Sequence, residues 1–146
     1  MSTTELIERM AEAWENEDLE ALDEIYHPDH VEHWSDTTFQ GTGKIKEAEA
    51  KYRQAFPDYT MDIKLSFEGD GHVAHYWEIQ GTHKGEFNGI PPTNKKITYQ
   101  GMAIHRVEDD LIVESWWMTD RLQLLRDLGV VPGREQLAED YVEGSS

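Results

Sequence analysis

The chain has 146 residues, a mass of 16.9 kDa and no cysteine, which suits one domain with a single core and excludes disulfides, thiolate metal sites and a cysteine nucleophile. Against 30 Asp and Glu stand 13 Lys and Arg, a formal net charge of -17, so the surface repels nucleic-acid phosphates and anionic membranes. No run is long and apolar enough for a membrane span, and the polar start MSTTELIERM lacks the apolar centre of a secretory signal; both read as a soluble, cytoplasmic protein.

The acids are dispersed among apolar residues, as in EDLEALDE, and belong to solvated faces of folded elements; the excess fits either a self-repelling soluble surface or a protein of a high-salt cytoplasm. In chain order, Leu6, Ile7, Met10, Ala13 and Trp14 form the stripe of an amphipathic helix, with Ser2 and Glu5 placed as a capping box. Leu19, Leu22, Ile25 and Tyr26 predict a short second helix ending before Pro28. In HPDHVEHWSD, His27, His30 and His33 recur every third residue. Pro28 opposes the helix that would bring them to one face, and in an extended segment residues 30 and 33 point opposite ways, so the spacing makes no metal site. His33 reads as a satisfied histidine at the start of a strand or as a single polar group lining a pocket.

GTGKIKEAEAKYRQAF carries Ile45, Ala48, Tyr52, Ala55 and Phe56 on one side, a third helix closed by Pro57. From residue 60 the period becomes two: Met61, Ile63, Leu65 and Phe67 predict a strand with one buried face. After the turn EGDG come the strand HVAHYWEIQ, the strand KKITYQGMAIHRV, the turn EDD and the strand LIVESWWMT. Between the second and third of these lies GTHKGEFNGIPPTNK, residues 81–95, too long for a tight hairpin and expected at a rim or subunit contact; Gly85 and Gly89 permit its turns, and Pro91 and Pro92 stiffen its return. DRLQLLRDL is a last short helix stopped by Gly129 and Pro132, and GREQLAEDYVEGSS a fraying tail. Helices first and an antiparallel meander after predict an α+β fold, one domain with a core over about 5–130 and a tail over 131–146, its helices covering one face of a curved sheet.

A concave apolar face is where small-molecule sites form; of the five tryptophans, most read as core filling and some as rigid, flat surface facing a cavity suited to a ring system. Alternation on the last strand puts Glu114, Trp116, Met118 and Asp120 on one face and Val113, Ser115, Trp117 and Thr119 on the other. Asp120 has two readings. With Gln123 three residues on it is a helix N-cap, its carboxylate stabilised as the anion; in an aromatic pocket it is a base of raised pKa. His105 shares its strand face with Tyr99 and with the small Gly101 and Ala103, which leave room beside it; it reads either as an acid/base histidine near an aspartate of the neighbouring strand or as a hydrogen-bonded strand histidine. GxSxG, GxxxxGK[ST] and GxGxxG are absent, which leaves proton transfer or plain binding.

GTHKGEFNGIPPTNK, together with FPD at 56–58 and VESWWMTD followed by LLRDLG, resembles the SnoaL-like polyketide cyclase family, within the superfamily of nuclear transport factor and ketosteroid isomerase. The resemblance implies a cone-shaped α+β barrel with a mainly antiparallel sheet, no cofactor and no metal, and acid/base chemistry on a hydrophobic carbonyl-containing small molecule: aldol-type cyclisation or a related isomerisation or dehydration. The same fold also hosts non-catalytic binding or dimerisation modules. Carried over by the Glu-x-Trp pattern of Glu114 and Trp116, the acid/base aspartate is Asp120, and the histidine of the preceding strand is His105. His33 and His83 are then polar contacts and Trp14, Trp77, Trp116 and Phe87 walls of the site, in a homo-oligomer, a dimer or higher. Two positions depart from the family: Tyr76 stands where an arginine is common, removing a fixed positive charge, and Asn94 where Gly often follows PPT, a change the left-handed turn tolerates.

Overall fold

The computed structural model describes residues 2–34 and 36–131; the predicted tail from residue 132 on lies outside the described residues. Helix α1, Thr3–Glu15, begins where the Ser2 hydroxyl accepts the Glu5 amide at 3.1 Å. Its stripe of Leu6, Ile7 and Met10 is buried and lies on the sheet. Helix α2 is the single turn Leu22–Ile25. Helix α3, Thr42–Ala55, presents Ile45 and Ala55 to the core. No described helix is long and apolar enough to cross a membrane.

Two strands precede the meander. β1, Tyr26–His33, and β2, Thr38–Gln40, join β3, Thr60–Gly69, β4, His72–Thr82, β5, Lys96–Glu108, and β6, Leu111–Thr119. The order is β2-β1-β6-β5-β4-β3, an open sheet with one parallel pair, β1 with β6, and antiparallel pairs elsewhere. Helix α4, Arg121–Asp127, follows β6. The predicted second helix therefore gives way to a strand at Tyr26. Pro28 is tolerated inside β1 because the ladder to β6 is interrupted between Tyr26 and Val31, so no hydrogen bond needs its missing N–H. His33 ends this strand rather than starting it.

A second departure lies on β3. Its register against β4 shifts between Ile63 and Leu65, so Met61 stays inside while Leu65 and Phe67, predicted buried, are 55% and 69% exposed. The bulge aligns two apolar rows across the outer face of the sheet: Leu65, Tyr76, Met102 and Met118, and Phe67, Ala74, Ile104 and Trp116. Tyr76 thus belongs to the outer face.

The inner face packs densely where the sequence suggested room. A Cβ on Gly101 would overlap the six-membered ring of Trp77 and lie 2.6 Å from the Met118 carbonyl oxygen. Gly101→Ala is expected to destabilise the fold by about 3 kcal/mol through this overlap, read as a lowered urea midpoint at unchanged slope. Gly85 is held by a different contact: its added Cβ would strike the Gln54 carbonyl, because the amides of Lys84 and Gly85 both donate to Ala55 O. The 83–95 loop is thereby fastened to the end of α3, and Asn94 adopts the left-handed conformation in its return, φ 59.

Candidate active site

Between the concave face of the sheet, α1, α3 and the 83–95 loop lies a cavity of about 230 Å³. Four of the five tryptophans line it: Trp14, Trp34, Trp77 and Trp117. Trp117 stacks on Trp14 and on Trp34, each at 5.2 Å between centroids, giving a flat aromatic wall. Tyr52, Tyr59, Tyr99 and Phe87 add four more rings to the lining. The shape suits a compact, planar, largely apolar ligand.

Two carboxyl groups open onto this cavity, Glu32 and Glu49. Glu32 lies on the buried face of β1, 2% exposed, and its Oε1 accepts the indole N–H of Trp117 at 2.8 Å. Burial pushes its pKa up to about 7, against the opposing hydrogen bonds of Trp117 and Trp34. Glu49, on α3, accepts the Tyr59 hydroxyl and lies 3.8 Å from Arg53 Nη2. Burial raises it to about 7 as well, the Tyr59 bond and the Arg53 charge acting the other way. Arg53 also donates to the Trp14 and Glu15 carbonyls, tying α3 to the end of α1. A carboxyl with a pKa near neutral in an apolar, aromatic site can take a proton and return it at physiological pH.

Behind Trp117 sits a second polar group of residues, closed to solvent. His75 Nε2 and His105 Nε2 are 2.9 Å apart, His105 Nδ1 is 2.6 Å from Ser115 Oγ, and Ser115 Oγ is 3.2 Å from His30 Nε2. His30 Nε2 in turn lies 4.0 Å from Glu32 Oε1. Burial lowers His30 and His75 to about 4 and His105 well below the usual histidine value, so these imidazoles are neutral at neutral pH. The 4.0 Å approach is a neutral ring facing a carboxyl, not an ion pair.

The residues singled out from sequence divide between five places. Trp14, Trp77 and Phe87 line the cavity. His105 lies in the buried histidine group. Asp120 is exposed, between the cavity-lining Thr119 and Arg121, and its Oδ1 accepts the Gln123 amide at 3.1 Å as the N-cap of α4. Trp116 is on the outer face, 37% exposed, stacked at 5.4 Å on His33, whose Nε2 is 2.7 Å from Glu114. His83 is buried in the loop, its Nδ1 accepting the Thr93 amide at 3.2 Å. Local reading missed Glu32 and Glu49. Glu49 sits among the charges of α3, and Glu32 in a segment without an apolar alternation to mark it as a strand. Among the described residues no group of three or more His, Asp or Glu is arranged to hold a metal ion.

A family model described as SnoaL-like polyketide cyclase matches residues 4–128. IdmH of Streptomyces antibioticus, described as a proposed polyketide cyclase, superposes with a TM-score of 0.79 at 28% identity, covering 89% of this chain and 100% of its own. AclR of Streptomyces galilaeus, a proposed hydroxylase, gives 0.80 at 27% identity, over 88% of this chain and 96% of its own. TsrD of Streptomyces laurentii gives 0.81 over 88% and 95% at 21% identity, a likeness of fold. No curated protein sequence matches the chain.

Proposed function

The chain belongs to the SnoaL-like polyketide cyclase family, and from that premise we propose that its cavity binds a planar, hydrophobic, carbonyl-bearing small molecule and performs acid/base chemistry on it. The observation that carries this reading is Glu32: a carboxyl of near-neutral pKa facing an aromatic cavity. In an aldol-type closure the Glu32 carboxylate removes the proton beside a carbonyl. The resulting enolate carbon attacks a second carbonyl of the same molecule, one C–C bond forms, and the new alkoxide takes the proton back from the Glu32 carboxylic acid. Isomerisation or dehydration uses the same first step. The stacked tryptophans orient the rings and exclude water, which sharpens the carboxyl's basicity.

Binding is testable through the wall itself. A ligand seated among Trp14, Trp34, Trp77 and Trp117 quenches tryptophan fluorescence saturably when carbonyl-bearing polyketide or terpenoid-like compounds are screened. Ala48→Phe, which fills the cavity from α3, is expected to weaken that binding at least tenfold; equal quenching in this variant places the ligand elsewhere and contradicts the reading.

A second reading assigns the proton transfer to Asp120, assisted by His105. The family resemblance favours it, and so does the place of Asp120 between two residues of the cavity wall. The non-catalytic alternative, a ligand-binding or dimerisation module, draws on the engagement of the same carboxylate by the α4 amide. The two outer apolar rows give the physical reason for a homodimer, since six large hydrophobics including Phe67, Met102 and Met118 face solvent there. Sedimentation is expected to give a two-chain mass, and Met102→Glu with Ile104→Glu a single-chain mass. A single-chain mass for the unaltered protein removes the dimer.

A further inference from the structure

The buried group behind Trp117 has an unusual proton count. Its ends, His75 Nδ1 and His30 Nδ1, are both buried and have no hydrogen-bond partner. Between them run three contacts, His75 to His105, His105 to Ser115 and Ser115 to His30, each needing one proton. Three neutral imidazoles and one hydroxyl bring four protons, so three fill the contacts and the fourth sits on one of the two ends.

Two arrangements satisfy this count. In the first, His30 Nε2–H donates to Ser115 Oγ, the Ser115 hydroxyl to His105 Nδ1, His105 Nε2–H to His75 Nε2, and the spare proton is on His75 Nδ1. In the second every donor is reversed: His75 donates to His105, His105 to Ser115, Ser115 to His30 Nε2, and the spare proton is on His30 Nδ1. Both make the same number of hydrogen bonds and leave one N–H unpaired, so neither is preferred on that ground. Their difference is the polarity of the His30 nitrogen that lies 4.0 Å from Glu32 Oε1: in the first, Nε2 carries the proton that it donates to Ser115, and in the second it is a lone pair that accepts the Ser115 hydroxyl. A Glu32 carboxylate favours the first and disfavours the second, and a Glu32 carboxylic acid removes that preference.

We propose that this four-membered chain is a switch whose hydrogen-bond direction follows the charge of Glu32, so that His30, Ser115, His105 and His75 are positioning residues for the cavity carboxyl. The proposal rests on the reading of Glu32 as the acid/base group. With Glu32 ionised, the chain keeps a protonated His30 Nε2 beside it and stabilises the anion; when Glu32 takes a proton from substrate that preference is lost, and the carboxyl holds the captured proton more firmly until the alkoxide forms. Other groups around the chain act on the same balance. Tyr26 on β1 packs edge-on against His30 at 4.6 Å, Glu114 on β6 raises and His33 on β1 lowers the His30 proton affinity, and Glu49 from α3 bears with Glu32 on Tyr26. Trp117 meets both His75 and His105 edge-on while donating to Glu32, and so fixes the cavity side of the group.

The test needs no substrate. Protein labelled with ¹⁵N in histidine and ¹³C in glutamate carboxyls is titrated by NMR, which reports which ring nitrogen holds the proton. As the Glu32 carboxyl becomes charged, His30 is expected to move toward the Nε2–H form and His75 toward the Nδ1–H form, with the carboxyl's own midpoint. Glu32→Gln abolishes both changes, and Ser115→Ala leaves His75 and His105 unresponsive. Tautomers that stay constant through the Glu32 titration, or that change with a separate midpoint, overturn the proposal. Should Ser115→Ala not fold, the wild-type and Glu32→Gln titrations decide it alone. Loss of activity in Glu32→Gln alongside constant tautomers would reject the switch and keep the acid/base reading, whereas coupled tautomers with full activity in that variant would do the reverse.

Discussion

Glu32→Gln is expected to lower the rate of proton abstraction from a planar carbon acid by roughly 10²–10⁴-fold, the usual contribution of a positioned general base. 5-Nitrobenzisoxazole is a suitable probe. A base removes its ring C–H proton, the N–O bond breaks, and a coloured nitrile-bearing phenolate leaves, so the step reports basicity in the cavity without the natural substrate. The amide oxygen of Gln still accepts the Trp117 N–H, and the fold is expected to hold. Asp120→Asn is the matched control for the second reading. Asn caps a helix about as well as Asp, so stability is expected to change by less than about 1 kcal/mol and the elimination rate to stay within a fewfold of wild type. If Asp120→Asn loses the activity and Glu32→Gln keeps it, the proton transfer belongs to Asp120. If both variants keep it, the binding-module alternative stands.

Stability is expected to show Glu32 through its pH dependence. For a carboxyl raised from 4.5 to about 7 in the fold, the native state holds a proton that the unfolded chain has released. Its contribution is full below pH 4.5 and is lost as pH rises through about 7. For histidines lowered from 6.5 to about 4, the unfolded chain binds the proton first. Their contribution is full above pH 6.5 and is lost as pH falls through about 4. Glu32 and Glu49 therefore partly oppose His30, His75 and His105 between pH 4.5 and 6.5; three histidines against two carboxyls leave the unfolded chain about one proton ahead, so the wild-type unfolding free energy is expected to rise with pH there by up to about 1.4 kcal/mol per unit. Glu32→Gln removes one of the two carboxyls: relative to the variant, wild type should lose on the order of 2 kcal/mol between pH 5 and pH 7. Urea unfolding of the two proteins at both pH values measures this difference directly, and a difference that does not vary with pH means that Glu32 is not raised.

Much of the fold was legible because its elements are periodic and punctuated. The stripe and cap of α1, the stop of α3 at Pro57 and the four strands of the meander all follow from local spacing and turn residues. What stayed hidden depends on partners far along the chain. β1 buries His30 and Glu32, polar residues that erase the apolar alternation by which a strand is recognised, and its parallel partner β6 is some eighty residues away, as in the contact of His30 with Ser115. The bulge after Ile63 turned Leu65 and Phe67 outward without any local signal stronger than Lys64. On β6 the alternation itself was right, but a tryptophan on each face left its phase open. Trp117 points inward and Trp116 outward, and Asp120 follows Trp116 to the exposed side. The cavity aromatics could be named in part, whereas its carboxyls emerge only when β1 is seen lying against β6 under α3.

The function proposed for the cavity rests on Glu32 being a carboxyl held near neutrality by its aromatic surroundings and available for proton transfer. A ¹³C titration of its side-chain carboxyl, assigned by the resonance that disappears in Glu32→Gln, tests this most directly. A midpoint of about 7 is expected; a midpoint at the ordinary glutamate value of about 4.3 would contradict proton transfer by Glu32 at neutral pH.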